Sequence, residues 1–253
     1  LKAVAAALHE RLSAARNRNN GHTFFFMSPQ GEMFKIENGV KIPVKPGNNF
    51  PANISDLFCA KGLYAGAALF GDTQKLYEAR QYCKTVLDSI FDGTLVSDQQ
   101  SLDPKNPCEY DPAKRMQGPY MVAIGMACLL VQTEMRPENL QAGLNLVDYI
   151  INNHTNFSGQ WPYLDTTAFV EYIDSSGKPY KINEAVIFDP GHAMEFVGLA
   201  LKFFDTVVSS RAILPQQTAY IEKVTPYLLL LFRKNFELGF MPAGGFCKLI
   251  DLL

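Results

Sequence analysis

The sequence predicts an all-α fold assembled from helical hairpins. About seven segments repeat apolar residues at helical intervals. Hydrophobic residues make up 47% of the 253 residues against 19% charged, a balance that supports a sizeable buried core. Gly, Pro and Asn stand where one periodic segment stops and the next begins.

The first segment, from about Leu1 to Arg16, spaces Val4, Leu8, Leu12 and Ala15 along one face. Leu1 to Leu12, with Lys2, Glu10 and Arg11, reads as an amphipathic helix rather than a signal peptide, so a cytoplasmic location is expected. A second helix is expected from Asn53 to Phe70, carrying Leu57, Lys61, Tyr64 and Ala68. Gly71-Asp72 breaks it, and Asp72 or Thr73 caps a third helix through Leu76, Ala79, Cys83, Val86, Leu87 and Ile90. A fourth runs from about Pro119 to Thr133, and a fifth from Pro137 to Asn153. The sixth starts at Pro190 and ends near Val208, and the seventh runs from about Pro215 to Asn235.

The irregular stretches between them are His22 to Lys45, Phe91 to Met116 and Phe157 to Phe188. The first alternates apolar and polar residues on either side of Asn38-Gly39, a hairpin turn signal, so a short β-hairpin is expected there. No Pro- or Ser-rich linker marks a boundary, and residues 1–253 read as a single domain.

Charge and composition exclude several functions. With 23 basic against 25 acidic residues the net charge is −2, which leaves no excess to neutralise a phosphate backbone, so nucleic acid is not an expected partner. Apolar runs such as Tyr227 to Phe232 stop far short of the roughly 20 residues a spanning helix needs. The five cysteines, Cys59, Cys83, Cys108, Cys128 and Cys247, are widely spaced with no CxxC, so neither a metal site nor a disulfide framework is expected. Cys83 and Cys128 lie in apolar helical stretches and read as buried hydrophobes.

Chemistry concentrates at Asp189-Pro190-Gly191-His192-Ala193-Met194-Glu195. Asp189 reads as an N-cap and Pro190 as the first helical residue, which puts His192 in the first turn. There the positive end of the helix dipole disfavours a second ring proton, so a neutral imidazole, a usable base, is expected. Glu195 follows at i+3 on the same face, within reach of the ring or of a substrate hydroxyl. The alternative is a His that merely packs at a helix start. His154 reads as an ordinary helix end, and His9 as a solvated residue.

The stretch Asp189 to Leu201 resembles the Pro-Gly-His-x-x-Glu helix start of the N-acylglucosamine 2-epimerase family, and Val170 to Lys178 is similar to the acidic, turn-containing segment that precedes it. Ala60 to Ala67 and the helix after Asp72 resemble the family's second and third helices, with Lys61 where the family usually has Arg and Tyr64 at its aromatic position. Gly118 to Ile124, with Tyr120, is similar to the start of a later family helix.

The resemblance implies an (α/α)6 toroid, six helical hairpins around a sugar-binding funnel. It implies a small sugar as substrate, no cofactor, and epimerisation or isomerisation at C2. In that scheme His192 is the acid/base, Glu195 its positioning carboxylate and Lys61 the cation that steadies an enediolate, although Lys61 also reads as a snorkelling surface lysine. Tyr64, Tyr120 and Trp161 would face the sugar, the last stacking from its loop unless it is a buried anchor.

Two alternatives stand beside this one. A glycoside hydrolase on the same barrel would draw a carboxylate pair from Asp165, Glu171 and Glu184. A non-catalytic carbohydrate- or protein-binding member would need neither pair nor base. The family's barrel has twelve helices and further catalytic histidines that no residue here matches, so an incomplete toroid is expected. With one well-placed His, isomerisation by a single base is favoured while epimerisation remains open.

Overall fold

The computed structural model describes residues 2–99, 111, 113–210 and 213–253; Cys108 lies outside them. Seven α-helices account for most of the order among these residues, accompanied by seven short strands. The chain forms two compact units, Leu1–Asp111 and Pro112–Leu253.

In the N-terminal unit, α1 spans Lys2–Arg18, β1 Phe34–Glu37, β2 Val40–Pro43, α2 Ile54–Phe70 and α3 Thr73–Phe91. The hairpin expected around Asn38-Gly39 is present. β1 and β2 pair antiparallel with Glu37 opposite Val40, and both turn residues take positive φ, 50° and 77°, as a two-residue turn that follows the strand twist requires. α2 packs on α3 through the break at Gly71, which sits in the left-handed region at φ 67°. Asp72 caps α3 as expected, its side chain accepting from Lys75 N at 3.0 Å.

Asp56 organises the entry to α2. Fully buried, it accepts from Tyr82 Oη at 2.5 Å and Thr23 N at 2.7 Å, and lies 2.8 Å from His22 Nδ1. The carboxylate also closes a capping box with Asn53. Those donors come from three separate segments, so one buried charge ties the long first loop to the helical hairpin.

α1 departs from expectation. Val4 and Leu8 are exposed, and the side chains the helix buries are His9 and Ala15. His9 is therefore not solvated. Its ring lies against Gly66 of α2, where an added Cβ would come within 2.8 Å of His9 Cδ2. A glycine in α2 makes room for an imidazole, and that approach sets which face of α1 turns inward.

In the C-terminal unit, α4 spans Gly118–Thr133, α5 Pro137–Asn153, α6 Pro190–Ser209 and α7 Pro215–Gly239. α4 packs on α5, α6 on α7, and α4 on α6. The core is drawn from their periodic apolar positions, among them Ile124, Leu146, Phe196, Phe203 and Leu228, all essentially inaccessible. Cys83 and Cys128 are buried as expected. α5 and α6 touch where Gly143 faces the Phe203 ring.

Strands between α5 and α6, joined by one ahead of α4 and one after α7, build a small β framework. β3 (Arg115–Met116) pairs antiparallel with β4 (Tyr172–Ile173), and β6 (Ala185–Phe188) lies between β5 (Lys181–Ile182) and β7 (Ile250–Asp251). Ile173 of β4 and Val186 of β6 share a small buried cluster with Trp161, Leu164, Ala168 and Val170. No helix among the described residues is long and apolar enough to cross a membrane.

Candidate active site

The β framework brings together side chains that are distant in sequence. Pairing of Met116 with Tyr172 sets Gln117 and Glu171 side by side, and Gln117 N donates to Glu171 O at 3.2 Å. Glu171 N donates to Ile187 O of β6 at 3.0 Å. One residue beyond β6, Asp189 starts α6. Its Oδ1 accepts from Gly191 N at 2.8 Å and His192 N at 3.3 Å, with Pro190 at the first helical position. The cap expected from the sequence is therefore the cap observed.

His192 Nδ1 lies 2.9 Å from Glu171 Oε2 and 3.6 Å from Asp189 Oδ2. The first is a hydrogen bond and the second too long for one. A carboxylate can only accept, so Nδ1 carries the proton and Nε2 holds the lone pair. No hydrogen bond to Nε2 occurs among the described residues. The imidazole side chain is 37% exposed, whereas Glu171 and Asp189 are 7% and 3% exposed. A part-open ring is thus held from behind by a buried carboxylate. Gln117 Nε2 donates to the same Oε2 at 3.3 Å, and Lys248 pairs with Asp189 Oδ2.

The expectation that the helix dipole sets the proton affinity of this imidazole needs correction. The hydrogen bond that His192 donates to Glu171 raises the ring's pKa above its ordinary value, burial opposes it, and the charges of Glu171 and Asp189 raise it further. Two nearby carboxylates outweigh the partial charge at a helix N-terminus. Such a ring can both take and return a proton.

Glu195 needs correction too. It lies exposed on α6, and Glu171 occupies the place expected of it beside His192. The i+3 spacing puts Glu195 on the right face, but Nδ1 turns toward the β framework. Trp161 is 3% exposed within the small cluster, and Asn156 secures its loop by accepting from Trp161 N at 2.9 Å and donating to Trp161 O at 3.0 Å. A stacking platform needs an open ring face, so Trp161 is the buried loop anchor.

Tyr120 is half-buried and stacked on Tyr149, centroids 3.6 Å apart. Tyr64 and Lys61 both belong to α2 of the N-terminal unit; Tyr64 is fully buried and Lys61 half-exposed.

The carboxylates considered for hydrolysis take separate partners. Asp165 binds Thr167 N and Oγ1, Glu184 pairs with Lys181, and Glu171 serves His192. His154 is a sealed structural residue, as expected, with Nδ1 3.0 Å from Val170 O. Among the described residues no group of three or more His, Cys, Asp or Glu could hold a metal ion.

The helix start marks His192 and Asp189 in the sequence, whereas no local pattern announces the partnership with Glu171 or the approach of Gln117 and Lys248. The one available signal was Val170-Glu171-Tyr172, an isolated carboxylate between apolar residues that alternate as in a strand.

No family model matches the chain, and no curated protein matches it. Among solved structures, that of a cellobiose 2-epimerase from Bacillus thermoamylovorans is similar over 98% of this chain and 64% of that one, with a TM-score of 0.55 and 10% sequence identity. This chain therefore spans somewhat less than two thirds of that protein's length. At such identity the likeness is one of fold, and the all-α hairpin architecture expected from the sequence is the architecture found.

Proposed function

We propose that the C-terminal unit carries the acid/base group of a carbohydrate epimerase or isomerase acting at C2 of an aldose. The observation that carries this reading is the Glu171–His192 pair, with Nδ1 anchored at 2.9 Å and the ring part-open. The C2 hydrogen of an open-chain aldose is acidic because C1 is a carbonyl. His192 Nε2 takes that proton, and the C–H electron pair moves into the C1–C2 bond while the carbonyl pair moves to oxygen, forming an enediolate. The imidazolium, stabilised by Glu171, returns the proton to C1 or C2. Return to C1, with the O2 hydroxyl proton passing to O1, yields a ketose, and return to C2 on the opposite face yields the epimer.

Inverting C2 takes proton delivery from both faces, most simply by two groups. The other histidine of this unit, His154, is fully buried and its pKa is pushed down to about 4 by burial, so it is not a second base. Where the part-open His192 acts alone, its proton shuttles on one face, the chemistry of an aldose–ketose isomerase. The fold shared with a cellobiose 2-epimerase supports a sugar as substrate.

The test is incorporation of deuterium at C2 of aldoses incubated with the protein in D2O. Simple aldoses and cellobiose should be tried, with ketose and epimer separated chromatographically. Exchange that disappears in His192→Asn supports the reading, and exchange that persists sinks it.

A further inference from the structure

Lys248 reaches the His192 cluster from a hairpin that follows α7, and its backbone is fixed from several sides. α7 ends at Gly239, where an added Cβ would come within 2.6 Å of Pro190 Cβ and 2.5 Å of Phe246 Cε1. Only a glycine lets the end of α7 lie so close to the first residue of α6. Phe240 and Phe246 then bridge antiparallel, and Cys247 N donates to Gly239 O at 2.8 Å. Beyond Lys248, β7 pairs with β6, Ile250 opposite Phe188, and Leu252 N donates to Val186 O at 3.0 Å. Lys248 is thus carried to Asp189 by a clamped segment, although its side chain is 75% exposed.

At Asp189 the two carboxylate oxygens are divided. Oδ1 caps α6. Oδ2 faces two positive or proton-bearing groups, Lys248 Nζ and His192 Nδ1, and makes its close contact with Lys248. Were Oδ2 released, it would compete with Glu171 Oε2 for the Nδ1 proton, because it already stands 3.6 Å from that nitrogen. A ring drawn toward Asp189 would swing Nε2 away from the direction that Glu171 imposes.

We infer that Lys248 is a positioning residue for the acid/base reaction: by occupying Asp189 Oδ2 it leaves Glu171 as the sole carboxylate bonded to His192 Nδ1, and so fixes the direction of Nε2. The inference rests on the reading of His192 as the reacting base. The charged groups facing His192 are Glu171 ahead of β4, Asp189 at the α6 cap and Lys248 from the C-terminal hairpin. The ammonium opposes ring protonation from a distance while the carboxylates favour it.

The experiment is an NMR titration of the imidazoles in histidine-labelled protein, the His192 signal being identified by its loss in His192→Asn. In Lys248→Met the stem is kept and the charge lost. Its His192 titration should move up by about half a pH unit, the effect of one water-screened charge a few ångströms away. The low-pH limb of C2 exchange should move with it, and kcat should fall more than KM changes. Lys248→Arg should titrate like the wild type. An unchanged His192 titration in Lys248→Met overturns the inference, whatever the activity. A wild type that exchanges no C2 hydrogen overturns the sugar reading and leaves the titration to decide the placement of Lys248.

Discussion

His154 provides a quantitative test of how this unit is built. The ring is fully buried. Its Nδ1–H donates to Val170 O at 3.0 Å, and Nε2 is buried with no hydrogen-bond partner among the described residues. Protonating Nε2 would create a buried charge and an unsatisfied donor together, so burial holds the pKa at about 4 against an ordinary 6.5, the backbone hydrogen bond only partly opposing it. The sign follows from linkage. Above 6.5 both folded and unfolded chains carry a neutral ring and full stability is present. As the pH falls from 6.5 to about 4, the unfolded chain gains a proton that the folded chain refuses, and stability is lost. At ~1.4 kcal/mol for each tenfold change in proton affinity, this window removes roughly 3 kcal/mol, a large share of a domain's total.

Urea unfolding at pH 7, 6, 5 and 4 measures this loss in the wild type and in His154→Leu. The variant forfeits the bond to Val170 and is less stable at pH 7. Its stability should nonetheless decline less with acid, so that the gap narrows by roughly 3 kcal/mol at pH 4. The carboxylates and His192 are common to both proteins and cancel in the difference. Parallel pH profiles would refute the argument that His154 is sealed in neutral form.

Other consequences concern the site and its support. Glu171→Gln removes the largest influence raising the His192 pKa, so the low-pH limb of activity should shift to lower pH while the rate falls by about 10²-fold or more through misorientation of the ring; a pH–rate profile measures both. Gly143→Ala would force a Cβ into the Phe203 ring and should cost about 1–3 kcal/mol in urea unfolding. Asp56→Ala leaves Tyr82 Oη, Thr23 N and His22 without their shared acceptor and should cost about 3 kcal/mol or more by the same assay.

Helices were legible because their information is local. Periodic apolar residues set the buried faces of α2 to α7, and Asp72, Pro137, Asp189 and Pro215 mark where four of them start. α1 was the exception. Its inward face depends on the contact of His9 with Gly66, a tertiary event that outweighs the pattern of Val4 and Leu8.

The two-residue strands were beyond reach, since β3, β4, β5 and β7 exist only through their partners. For the same reason the site was half visible. His192 and Asp189 share a helix start, whereas Glu171 is 21 residues from His192 and Lys248 is 59 from Asp189. Helical spacing favoured Glu195 because it is the nearest carboxylate along the helix. The β framework supplied a nearer one in space.

The proposed role of His192 is transfer of a sugar's C2 proton. The most direct measurement is proton NMR of deuterium incorporation at C2 of aldoses, cellobiose included, with equal amounts of wild type and His192→Asn in D2O. The wild type should exchange the C2 hydrogen, and the variant should lose about 10²-fold or more of that rate. Equal exchange by both, or none by the wild type, would contradict that role.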